Sequence, residues 1–79
     1  MHSPSYLNPQ QLETWLTILG RIEQATVIAS AAQAYGCTEG YALGLYSAGV
    51  ITAEQRDELV FVAMGTQAEK LNALEAADE

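Results

Sequence analysis

The chain has 79 residues and a mass of 8.5 kDa, enough for one small domain and too little for a two-domain enzyme. Apolar side chains make up 49% of it and charged ones only 16%, a balance that excludes an intrinsically disordered chain. Ten acidic groups against three basic ones give a formal charge of −7, which opposes direct binding to nucleic acid, because that affinity rests on phosphate neutralisation.

Residues 1–7 carry no hydrophobic period and read as a flexible N-terminal arm. A helix is expected from Pro9: Asn8 supplies the N-cap oxygen, Pro9 loses no needed N–H at the first helical position, and Gln11 is placed to reach back. Leu12, Trp15, Leu16, Leu19, Ile22, Thr26 and Ala29 continue at helical spacing, so the first helix is read as 9–35, stopped by Gly36 and open to a break at Gly20. Thr38 can cap a short second helix over 39–48, and Gly49 followed by apolar Val50 has the form of a Schellman stop. Thr52 and Gln55 form a second capping-box pattern that opens a third helix, 53–77, with Glu54 in the turn where the macrodipole favours an acid.

No alternation or hairpin signal suggests a strand. The expected fold is therefore all-α: two long antiparallel helices, about 9–35 and 53–77, joined by a short helix at about 39–48, in a single domain spanning 1–79. Gly20 and Gly65 fall at similar heights in such a hairpin, which predicts close helix approach there. Gly36, Gly40, Gly44 and Ala48 recur every fourth residue and predict a second close contact, either with the long helices or with a partner.

The chemistry-bearing residues are sparse. His2 is the only histidine, so a histidine-based catalytic site is not expected, and Cys37 is the only candidate nucleophile, with no base paired to it in the sequence. That single cysteine allows no intramolecular disulfide and points to a reducing cytoplasm. The start lacks the basic residues of a signal peptide, and the uncharged run from Gln24 to Thr38 is shorter than the ~20 apolar residues of a spanning helix. No metal or cofactor is expected: there is no Cys or His pair, no calcium loop and no phosphate-binding glycine loop, and the acids Glu54, Asp57 and Glu58 read as a solvated helix start.

Two features suggest a surface for a partner. Tyr35, Tyr41 and Tyr46 flank the small-residue stripe, and tyrosine offers a large amphipathic contact at low entropic cost. Glu54, Asp57, Glu58, Glu69 and Glu75, with Asp78 and Glu79 beyond them, give the third helix an acidic side that would steer a basic partner. The run Leu45-Tyr46-Ser47-Ala48-Gly49-Val50-Ile51-Thr52-Ala53-Glu54-Gln55 is similar to the core of SHOCT-like short interaction modules in its capping chemistry, while the aromatic and Lys-rich turn of that pattern are missing after Arg56. A helix-turn-helix reading fails because the recognition helix would open on Glu54, Asp57 and Glu58, which repel phosphate.

These features predict a non-enzymatic acidic helical protein that occupies a surface of a partner macromolecule, one that is basic and itself nucleic-acid-binding in the sharpest version. In size, charge and fold class the chain resembles small phage or mobile-element anti-defence inhibitors such as anti-CRISPR proteins. The alternative is a structural or adaptor module whose apolar helix faces assemble a homodimeric bundle.

Overall fold

The computed structural model describes residues 4–77, and these form three helices with no strand among them. Helix α1 runs Pro9–Gln24, α2 Ile28–Ser47 and α3 Ala53–Ala77. Their lengths of 16, 20 and 25 residues make two longer helices and one shorter one. The expectations placed on His2, Asp78 and Glu79 lie outside the described residues.

Three of the helix ends form as their residues dictate. Asn8 Oδ1 accepts from the Gln11 backbone N–H at 2.8 Å while Gln11 Oε1 accepts from the Asn8 N–H at 3.0 Å, so each side chain satisfies a donor the helix start leaves open. Thr52 and Gln55 repeat this exchange at the head of α3, at 3.1 and 2.9 Å. At the end of α2 the Val50 N–H donates to the Leu45 carbonyl and the Gly49 N–H to the Tyr46 carbonyl, the two bonds of a Schellman stop. Gly49 takes φ +76°, a left-handed conformation that a side chain makes costly.

The interruption between the first two helices falls at residues 25–27, not at 36–38. Thr26, Val27 and Ile28 are three consecutive β-branched residues, which lose side-chain freedom in a helix, and Val27 adopts φ −137°, ψ 158° in extended backbone. Gly36 and Thr38 stay inside α2. Thr38 is no cap: it is fully buried, and its hydroxyl donates 2.6 Å back to the Tyr35 carbonyl, three residues earlier. Gly20 does not break α1.

The short connections fold the chain up, down and up, so α2 is antiparallel to both neighbours and α1 runs parallel to α3. Two hydrogen bonds at one end of the molecule agree with this order. The Tyr41 hydroxyl of α2 donates to the Gln11 carbonyl of α1 at 3.4 Å, and the Tyr6 hydroxyl, just before α1, reaches Glu58 in the first turns of α3. Residues 4–7, expected as part of a loose arm, are docked: the Leu7 N–H donates to the Pro4 carbonyl at 3.1 Å and the Leu7 side chain is buried in the core.

That core joins Leu7, Trp15, Ile22, Ala34, Ala42, Ile51, Leu59 and Ala63, with Leu12, Leu19, Leu45 and Val60 packed against it. Close helix approach is mediated by alanines, since Ala31, Ala42 and Ala63 are fully buried. The expected contacts at Gly20, Gly40, Gly44 and Gly65 do not form within the chain: a Cβ added at any of them would meet no heavy atom within 4 Å. The reason lies in helix phase. The helical positions that turn Ala34, Thr38 and Ala42 inward turn Gly36, Gly40 and Gly44 outward.

Candidate functional site

Of the three helix pairs, α1 and α3 touch least, while α2 packs more extensively against both. The result is a groove of about 1270 Å³ running along α1 and α3. Trp15 and Leu59, each 2% exposed, lie at its base. Leu16, Phe61 and Val62 line it higher up and remain 54%, 75% and 46% exposed. Large apolar side chains gathered along one groove form a contiguous patch of the kind that marks an interaction surface.

Carboxylates edge the groove. Glu54, Asp57 and Glu58 stand at the end where α3 begins, Glu69 stands three turns further on, and Glu23 faces the groove from α1, with Lys70 the single ammonium among the lining residues. Asp57 Oδ1 accepts from Arg56 Nε and from its terminal nitrogen, both at 3.0 Å, in an exposed pair of little energetic weight. Glu23, Glu54 and Glu69 make no side-chain hydrogen bond or ion pair with another described residue, so their charge faces outward unneutralised.

Tyr6 ties the arm to this edge. Its hydroxyl lies 3.2 Å from Glu58 Oε2 and 3.4 Å from the Gln55 carbonyl, and it donates toward both acceptors. Burial first, and then the hydrogen bond and negative charge of Glu58, push its pKa up to about 12. The phenol therefore stays protonated and remains a donor to Glu58.

The sequence-predicted partner residues divide into two groups. The groove gathers Glu54, Asp57, Glu58 and Glu69, while Glu75 is exposed on α3 beyond it. The tyrosines do not form one surface. Tyr35 and Tyr41 are half-buried against the core, and burial followed by the neighbouring Glu39 carboxylate raises the Tyr35 pKa. Tyr46 is exposed, with the Arg56 guanidinium 4.5 Å from its ring centroid in a cation–π contact. The stripe of Gly36, Gly40 and Gly44 is open to solvent, and Cys37 lies mid-helix on an exposed face of α2 without the helix N-terminus expected beside it.

Trp15, Leu16, Phe61 and Val62 were not singled out from sequence as site residues. A signal for the last two was present: Phe61 and Val62 follow Asp57 and Glu58 by four residues, so the acids and the apolar pair share one helix face. Among the described residues no group of three His, Cys, Asp or Glu side chains is arranged to hold a metal ion, and no described helix is long and apolar enough to cross a membrane. Comparison with protein-family models, with curated proteins and with solved structures gives no match to this chain.

Proposed function

We propose that the chain is a non-enzymatic acidic binding protein that uses the α1/α3 groove to occupy a basic surface of a partner macromolecule. The observation that carries this reading is the conjunction in one groove of exposed Leu16, Phe61 and Val62 with outward-facing carboxylates. The apolar residues supply the area whose burial drives association, and the acids select a Lys/Arg-bearing partner and speed encounter with it. A partner that binds nucleic acid fits this best, because its basic surface is already built for anions. Blocking such a surface would make the protein an inhibitor, in the manner of anti-defence proteins such as anti-CRISPR proteins. A reducing cytoplasm suits the reading, since the exposed Cys37 thiol stays free there.

The test is capture of the partner by immobilised protein at rising salt, with wild type beside the combined variant Glu54→Gln, Glu58→Gln, Glu69→Gln. Capture that weakens with salt for wild type and is lost in the variant supports the reading. Capture indifferent to both rules it out.

A second reading, a homodimeric structural or adaptor module, draws on a different face. Leu43, about half exposed on α2, stands next to the bare Gly40 and Gly44. Light scattering separates the two readings: a stable dimer that Leu43→Glu dissociates, with no captured partner, favours assembly.

A further inference from the structure

We infer that the occupant of the α1/α3 groove is an amphipathic α-helix of a partner protein, apolar along its middle and carrying Lys or Arg at both ends of the docked stretch. The inference rests on the reading above, that this groove binds a basic partner, and adds the shape and sequence pattern of what enters it.

The walls decide the kind of element. Both are α-helices whose backbone N–H and C=O groups are already bonded within each helix, so the groove offers no free ladder to an added strand. It offers rows of side chains, and the element that interlocks with two parallel helical rows is a third helix. Seating one between α1 and α3 converts the three-helix arrangement into a four-helix bundle.

The order of residues along α3 sets the pattern. Glu54 and Glu58, then Phe61 and Val62, then Thr66, then Glu69 pass along the groove in turn, spaced as one face of a helix. Acid therefore lies at both ends of an apolar centre, with Lys70 beside Glu69 offsetting part of the charge at the far end. Glu58 and Glu69 are ~16 Å apart along the helix axis at 1.5 Å per residue, the rise of about eleven residues in a partner helix packed alongside. The complementary helix carries cations about eleven residues apart, with apolar side chains three and four residues from the cation that meets Glu58, opposite Phe61 and Val62. A second copy of this chain docked groove to groove fits poorly, because that would bring carboxylates against carboxylates.

Three synthetic peptides lacking Trp and Tyr test the inference: a helix-stapled peptide of this pattern, a scrambled peptide of the same composition, and the stapled peptide with every Lys replaced by Gln. Trp15, the only tryptophan, lies at the groove base and reports occupancy by its fluorescence. The expected result is saturable binding of the stapled peptide, at least about ten-fold weaker binding of the other two, and a similar loss in Phe61→Ser with helicity unchanged. Glu69→Lys serves as a second variant and shows the same loss. Equal, salt-sensitive binding of the stapled and scrambled peptides overturns the helical occupant and leaves the basic-partner reading standing. Equal binding of the Lys-free peptide, or binding of none, overturns both. A dimer in sedimentation that Phe61→Ser dissociates also overturns the inference, since the occupant is then a second copy.

Discussion

The Tyr6 hydroxyl meets Glu58 Oε2 at 3.2 Å, joining the segment before α1 to the first turns of α3 across 52 positions of sequence. It is the long-range side-chain bond that closes the acidic end of the groove. Its strength depends on the phenol remaining protonated.

That dependence predicts an alkaline transition. The folded-state pKa of Tyr6 is raised from 10.0 to about 12, so the folded protein holds this proton where the unfolded chain releases it. The contribution to stability is fully present below pH 10.0 and is lost as pH rises through about 12. Tyr6→Phe lacks the titrating group, and its thermal midpoint falls less steeply than that of wild type across this window. Parallel slopes for the two proteins would exclude the assigned cause.

The open glycines predict gains in stability. Gly40→Ala and Gly44→Ala each place a methyl where nothing lies within 4 Å, and each raises unfolding free energy by about 0.5–1 kcal/mol through helix propensity. Gly49→Ala has equal space but a φ of +76°, and lowers it by about 1–2 kcal/mol. Urea denaturation of the three variants reads both signs.

Ala63 predicts the reverse of Gly40. It is fully buried in the core cluster, two residues from solvent-exposed Gly65 on the same helix. Ala63→Leu forces α3 away from its neighbours and costs about 1–3 kcal/mol, seen as a lower denaturation midpoint.

The capping box at the head of α1 predicts a local loss. Asn8→Ala removes the acceptor at 2.8 Å from the Gln11 N–H and costs about 1 kcal/mol, with faster amide exchange in the first turn of α1 and little change in α3.

The boundaries legible in the sequence were those written in short-range chemistry. Asn8 with Gln11, Thr52 with Gln55, and Gly49 before Val50 each need only residues three to five positions apart, and each forms as those residues require. The Ala25–Val27 break was legible in principle as a β-branched run, but Gly36 and Thr38 offered a competing stop signal of equal local quality. Burial decided between them: Thr38 fits the core with its hydroxyl bonded to Tyr35, and that placement requires α2 to continue through Gly36.

The candidate site was half legible for the same reason. Acids on α3 at helical spacing can be read from one strip of sequence, and so Glu54, Asp57, Glu58 and Glu69 stand out there. Their meeting with Trp15 and Leu16 was not legible, because that depends on α1 running alongside α3 in the packed fold. Nor could glycine spacing reveal that alanines carry the close contacts, since two residues a few positions apart on one helix face opposite ways once packing fixes its rotation. The sequence by itself determined helical class, charge and most helix ends, which are properties of neighbours along the chain. Only the tertiary structure decided which faces turn inward and which grooves stay open, because three helices of this size enclose only part of the apolar surface the chain carries.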